Sequence, residues 1–298
     1  MNSGTTTIST MAITLGKVRA YVELLKPRLS LLVAFSCAFG YGLATQGHMN
    51  WITLIILTFS GFLLSGASVT INQIIEKDLD RLMSRTLNRP LPTGRITVNE
   101  AVSFAVLCLI VSLVLLWKFT NPLTVALSVL SMLLYSFVYT PLKRVGPIAV
   151  FVGAIPGALP PLLGWVAATG SVSYEALIIF GIQFIWQFPH FWAIAWVSDD
   201  DYKKAGFKLL PSGGGKDHNT SIQIMIYTLF LIPLGLLPAK FGITGLDSAI
   251  VATVCGVAFL AQTFSLMKTG SRKSALRIMF GSFLYLPIVQ IAYLLDKI

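Results

Sequence analysis

An all-α integral membrane protein with nine transmembrane helices is the fold class that three features of the sequence predict. The chain has 298 residues, 55% hydrophobic and 11% charged, where a water-soluble domain carries about 25% charged residues. Nine apolar segments are long enough to cross the bilayer, since about 30 Å of hydrocarbon takes roughly 20 residues of helix. The connections between them alternate in charge, with 19 Lys and Arg on one side and 3 on the other. Basic residues gather in cytoplasmic loops, so the N-terminus is expected in the cytoplasm and the C-terminus outside. The same bias accounts for the net charge of +10, and no nucleic-acid partner is expected.

The expected spans are 27–45, 51–75, 97–117, 121–140, 147–168, 174–197, 220–238, 247–267 and 277–295. The first is entered through Lys26-Pro27-Arg28, and proline suits a first helical turn because its missing N–H would be unpaired there anyway. Residues 1–19 read as a loose cytoplasmic tail without the short apolar core of a signal peptide. Residues 20–298 read as one membrane domain. Cys37, Cys108 and Cys255 are isolated in apolar surroundings and show neither metal spacing nor a disulfide pattern. Mean hydropathy is +0.78, which agrees with a chain built mostly of spans.

Two connections on the basic side are long, 76–96 and 198–219, and each starts with an acidic cluster: Glu76, Asp78 and Asp80, then Asp199, Asp200 and Asp201. Asn72, Glu76 and Asp80 are spaced i, i+4, i+8. If the second span continues through them they share one face, about 6 Å of rise apart per step. Asp78 falls on another face. All three offer oxygen, and Mg²⁺ takes oxygen ligands, held by one or two carboxylates plus substrate phosphates. A solubilising charge cluster at a helix end is the other reading. Carboxylates at a helix C-terminus oppose the macrodipole, so either reading calls for a compensating cation. Arg85, Arg89 and Arg95 follow on a turn-rich backbone fixed by Pro90, Pro92 and Gly94. Arginine forks suit phosphate oxygens. Carboxylates for Mg²⁺ beside arginines at the membrane surface suggest a diphosphate whose tail lies among the helices.

The pattern N-x-x-x-[DE]-x-x-x-D followed by R-T-x-x-R-P-L-P-x-G resembles the UbiA superfamily of intramembrane prenyltransferases. Its fuller form here, from Asn72 through Arg89-Pro90, is similar to the protohaem IX farnesyltransferase (haem O synthase) branch. So is the run His190-Phe191-Trp192-Ala193-Ile194-Ala195-Trp196, leading into Asp201-Tyr202, Gly206-Phe207 and Leu210-Pro211. Tyr139-Thr140-Pro141-Leu142-Lys143 resembles the superfamily's Y-x-x-x-K element. The resemblance runs in order over residues 20–295 and implies a UbiA-like bundle.

It also implies roles. Asn72, Glu76 and Asp80 would hold Mg²⁺ against the diphosphate, with Glu76 where many relatives have Asp. Lys26, Arg85, Arg89 and Lys143 would neutralise the diphosphate, and Tyr139 would donate a hydrogen bond to it. Relatives carry a D-x-x-x-D pair in the second loop. Here Val197 stands four before Asp201, so the pair is absent and Asp201 is the expected second metal-site carboxylate, with Asp199 and Asp200 as candidates. His190, a histidine inside a span, would be catalytic or bind porphyrin; a hydrogen-bonded core histidine is the plainer reading. Phe184, Trp186, Phe188 and Trp192 would shield a cationic transition state, or simply pack. The implied substrates are farnesyl diphosphate and haem B, with Mg²⁺ as cofactor. The implied setting is the lipid bilayer of a bacterial inner membrane, with the active site on the cytoplasmic face. A haem A synthase or a terminal oxidase assembly would take the product. A sister enzyme acting on a quinone precursor and a cation-coupled transporter are the alternatives.

Overall fold

The nine expected spans are nine long helices in the computed structural model, which describes residues 16–213 and 215–298. A short helix through residues 16–24 (α1) comes first. It leads into α2 (Pro27–Ala44), α3 (Trp51–Ile75), the single turn α4 (Lys77–Asp80) and α5 (Val98–Phe119). The fourth span is composite: α6 (Pro122–Leu133) passes into a π-helical segment (Leu134–Tyr139) and then α7 (Thr140–Leu142). There follow α8 (Ile148–Thr169), α9 (Tyr174–Val197), the short α10 (Asp199–Lys204), α11 (His218–Lys240), α12 (Leu246–Thr269) and α13 (Arg272–Leu295). Residues 1–15 of the expected tail lie outside the described residues. Residues 16–19, expected within that tail, are helical. The reason is downstream in the same helix, where Ala20 and Leu24 pack into a small core with Leu91, Ile96 and Ala101.

Most span starts carry the side-chain oxygen that a helix N-terminus needs for its orphan N–H groups. Asn50, Asn121, Ser173, Asp217 and Ser271 each accept a hydrogen bond from the third residue onward. Thr97 and Glu100 cap α5 reciprocally.

The centre of the bundle is α8, the most buried span, which packs against α2 and α9. Small residues let helix backbones meet in a membrane. A Cβ on Gly40 would collide with the Pro161 carbonyl, and one on Gly164 with the Cys37 carbonyl, so α2 and α8 cross in backbone contact. Proline inside α8 removes N–H donors, which hydrocarbon cannot replace. Pro161 leaves the Gly157 carbonyl without its helical partner. Gln183 and Gln187 of α9 donate to it at 2.8 and 2.9 Å. Gln290 of α13 continues the chain, donating to Gln183 at 2.9 Å and to Ser36 of α2 at 3.2 Å. At the end of the bundle away from the charged loops, Lys297 donates to the carbonyls of Gly42 and Thr45, closing the C-terminus of α2.

Candidate active site

At the charged-loop end, four parts of the chain line a cavity of about 110 Å³: the start of α2, the run from α3 through residue 89, the π segment with Lys143, and α10 with the turn after it. Its floor is the acidic face. Glu76 departs from helical geometry (φ −93°, ψ 8°). The ladder nevertheless runs through it, with Glu76 N–H bonded to the Asn72 carbonyl at 2.9 Å and Asp80 N–H to the Glu76 carbonyl at 2.8 Å. Asn72, Glu76 and Asp80 are therefore stacked on one face, as their spacing requires, and they are only 2%, 4% and 0% exposed.

Burying two carboxylates demands partners. Arg89 donates from one guanidinium nitrogen to both oxygens of Asp80, at 2.8 and 2.7 Å. Lys143 donates to Glu76 at 2.8 Å. These cations also offset the helix dipole. Asn72 donates from Nδ2 to Thr140 Oγ1 at 3.0 Å, which leaves its amide oxygen as a third oxygen donor beside the carboxylates. One amide oxygen and two carboxylates on successive turns are a donor set that fits a hard divalent cation sharing its shell with phosphate.

The remaining wall is cationic and aromatic. Lys26 enters α2 in the left-handed region (φ 45°, ψ 66°), as no other non-glycine residue does among those described. Such a backbone costs about 1–3 kcal/mol and persists where the surroundings over-determine it. Burial first, then the neighbouring charges of Arg89 and Lys143, push the Lys26 ammonium down to about 7. Burial also pushes Lys143 downward, but Glu76 outweighs it and the net shift is up. With Arg85, the cavity holds four cationic side chains against two carboxylates, an excess that suits an anion.

Tyr135, Tyr139, Tyr202 and Phe207 supply the aromatic surface. The Lys143 ammonium lies 4.7 Å from the Tyr139 ring centroid and 5.7 Å from that of Phe207. π-Helical turns are frequent at functional sites, and this one carries both tyrosines. Gly153 of α8 makes room for them, since a Cβ there would stand 2.6 Å from the Tyr139 ring.

Of the residues singled out in the sequence, Lys26, Asn72, Glu76, Asp80, Arg85, Arg89, Tyr139 and Lys143 all line this cavity. Asp201 does not. Its Oδ2 accepts from Ser84 Oγ at 2.7 Å and from the Arg85 N–H at 3.2 Å, and Oδ1 accepts from Lys204 at 3.1 Å. Those hydrogen bonds, Ser84 first, hold its carboxyl well below the usual range. Asp199 pairs with Lys203 and Lys216, and the exposed Asp200 with Lys216.

His190 is likewise outside the cavity, on the seam between α9 and α13. Its Nδ1 is 2.8 Å from Ser282 Oγ, and that hydroxyl donates to the Met279 carbonyl at 2.6 Å. The hydroxyl is thus the ring's polar partner and can accept from an Nδ1–H. Trp186 stacks on the ring at 4.4 Å and donates to the Ser282 carbonyl at 3.1 Å. The next residue, Phe191, faces Tyr139 across 6.3 Å. Phe184, Phe188 and Trp192 pack with Phe151 and Tyr227 and, like Trp186, are not cavity lining. The sequence reading passed over Tyr135, Thr86 and the lining roles of Tyr202 and Phe207. The four-residue spacing of Tyr135, Tyr139 and Lys143 was the available signal for the first.

The UbiA prenyltransferase family model matches residues 33–286. The chain is 53% identical over 280 residues to the protoheme IX farnesyltransferase of Cytophaga hutchinsonii, covering 94% of this chain and 98% of that one. It is 45% identical over 282 residues to the protoheme IX farnesyltransferase of Christiangramia forsetii, with 93% of each covered. Among solved structures, a digeranylgeranylglyceryl phosphate synthase superposes with a TM-score of 0.77 at 22% identity, covering 94% of this chain and 98% of that one. A UbiA homologue from Archaeoglobus fulgidus, bound to GPP and Mg²⁺, superposes with a TM-score of 0.65 at 18% identity, covering 92% and 99%.

Proposed function

The chain belongs to the UbiA prenyltransferase family, and from that premise we propose that it transfers the farnesyl group of farnesyl diphosphate to a vinyl group of haem B, with addition of water, to give haem O. The observation that carries the transfer chemistry is the cavity, with Asn72, Glu76 and Asp80 facing an excess of Lys and Arg. The acceptor is supported by the relatives that match almost end to end.

Asn72, Glu76 and Asp80 would hold Mg²⁺, which when bound neutralises charge on the departing diphosphate. Lys26, Arg85, Arg89 and Lys143 take up the negative charge that grows as the C1–O bond ionises, an interaction strongest in the transition state. Tyr139 donates a hydrogen bond to the same group. Tyr135, Tyr139 and Phe207 face the developing allylic cation, which aromatic faces stabilise. The terminal vinyl carbon bonds to C1 while the C1–O electron pair leaves with the diphosphate. Water then adds to the vinyl carbon next to the porphyrin and releases one proton. His190 belongs to the acceptor side, where it engages the porphyrin or that proton. Asp201 supports the diphosphate side from outside the cavity, by holding Ser84 and the Arg85 N–H.

The cavity opens on the face with the charged loops, which the basic-residue bias makes cytoplasmic, in a bacterial inner membrane. The farnesyl tail enters from the bilayer, and the product goes to a haem A synthase or a terminal oxidase assembly. Transporter sites lie near the bilayer midplane between interrupted helices, unlike this cavity at the bundle end. The test is the haem extracted from cells that lack haem O and express this chain. The expected result is haem heavier by a farnesyl group and water, lost with Asp80→Ala. Unchanged haem alongside a prenylated quinone ring would assign the cavity to a different acceptor.

A further inference from the structure

We propose that Gln73 is a positioning residue for farnesyl diphosphate: from outside the cavity it fixes the strained turn between α1 and α2 that carries the Lys26 ammonium to the diphosphate. This rests on the diphosphate reading above and adds a residue that touches neither substrate.

The turn begins with a conflict in the sequence. Pro27 disfavours the right-handed helical region for the residue before it, so α1 does not run straight on into α2. Lys26 takes the left-handed region instead (φ 45°, ψ 66°). That conformation ends many helices and usually falls to glycine. A glycine would make the turn without strain, but it would bring no ammonium to the cavity wall, which the Lys26 side chain lines.

What holds the turn is α3. The last carbonyls of α1 have no helical partner, and a buried carbonyl needs a donor from the protein. Gln73 Nε2 donates to the Leu24 carbonyl at 2.8 Å and to the Val69 carbonyl of its own helix at 3.0 Å. One amide proton thus anchors the side chain and the other holds the turn. Thr70 Oγ1 lies 3.3 Å from the same Leu24 carbonyl, but its shorter bond, at 2.7 Å, goes to Gly66. Ser30 Oγ donates to the Leu25 carbonyl at 2.7 Å. The Leu25 side chain seats over Gly66, where a Cβ would stand 2.5 Å from it. Leu24, Ser30, Thr70 and Gln73 are all buried. The two carbonyls that precede Lys26 are therefore pinned from within the protein.

Asn72 and Gln73 are neighbours on α3 and point about 100° apart around the helix. Asn72 lines the cavity and Gln73 does not. One turn of α3 thereby sets the acidic floor on one side and the Lys26 backbone on the other. Without the Gln73 donor the Leu24 carbonyl is left unpaired. The turn is then free to relax toward the extended backbone that a residue before proline prefers, which draws the ammonium away from the diphosphate.

The experiment titrates the full chain in lipid nanodiscs, by calorimetry, with a farnesyl thiodiphosphate whose C1–S bond does not ionise. Lys26→Gln should weaken binding about tenfold. Gln73→Met, similar in shape but without the donor, should do the same. The two together should weaken it no further, because Gln73 acts through Lys26. In turnover, Gln73→Met should raise KM for farnesyl diphosphate by a similar factor and leave KM for haem unchanged. Gln73→Asn keeps the amide one methylene short of Leu24 and should give the same pattern, which covers the case that Gln73→Met does not fold. Losses that multiply in the double variant would overturn the proposal. So would Gln73 variants that bind as the wild type does, or that raise KM for both substrates together. Binding undiminished by Lys26→Gln would overturn it while leaving the diphosphate reading in place. Failure of the wild type to bind the analogue would instead remove the diphosphate reading, and the proposal with it.

Discussion

Glu76/Asp80 and Asp199/Asp201 look alike in sequence, each an acidic cluster just after a span on the basic side. In the folded chain they are used in opposite ways. The first is carried by a helix that continues past its apparent end, so its carboxylates turn inward, become almost wholly buried and meet Arg89 and Lys143. The second begins a separate short helix, α10, where Asp199, also buried, pairs with Lys203 and Lys216, and Asp201 binds Lys204, Ser84 and the Arg85 N–H, outside the cavity. What a carboxylate does is set by where the backbone turns it, not by the loop that carries it.

Substitutions in the two clusters should therefore separate widely. Asp80→Ala removes a cavity carboxylate and should lower farnesyl transfer by about 10³-fold, the scale seen when a transition-state electrostatic partner is lost. Asp200→Ala, at an exposed carboxylate outside the cavity, should change the rate by less than about twofold. Haem turnover in membranes at matched protein levels reads both, and equal losses would erase the distinction.

Arg89→Ala tests the first cluster from its cationic side. It leaves Asp80, which is fully buried, without its partner, and breaking a buried pair from one side costs about 3–5 kcal/mol. Thermal unfolding in detergent should show that loss without ligand, and Asp80→Asn with Arg89→Met should recover much of it. Ser84→Ala, on the second cluster, removes one hydrogen bond to a charged group, worth about 1.5–3 kcal/mol. It should show mainly as a raised KM for farnesyl diphosphate.

A pH-dependent effect concerns Lys26, whose ammonium is pushed down to about 7 in the free site, below its ordinary value of 10.5. Below that pH it is already charged and ready for an anion. Above it, diphosphate binding must take up a proton, so affinity should fall by up to about tenfold per pH unit. Lys26→Gln should bind more weakly and flatten that slope, as measured by binding of the thiodiphosphate between pH 7 and 9.

Much of the fold was legible because hydrocarbon enforces it: length, apolarity and alternating charge fix the spans. The shared face of Asn72, Glu76 and Asp80 was legible for a local reason, since their spacing holds whenever the helix runs on, and the Glu76 kink does not interrupt the ladder. Tyr135 and Phe207 were not, because a π turn and a loop docking decide which way they face. The placement of Asp201 depends on Ser84, more than a hundred residues away, and no local pattern carries that information. His190 shows the same limit, since its hydrogen-bond partner is Ser282 on another helix.

The most direct test of the whole account is turnover by the purified chain in nanodiscs, supplied with farnesyl diphosphate, haem B and Mg²⁺. The account predicts haem heavier by one farnesyl group and one water, formed with one diphosphate released per haem, and a rate about 10³-fold lower with Asp80→Ala. Haem of unchanged mass, with the farnesyl group found on an aromatic acid or left on the diphosphate, would contradict it.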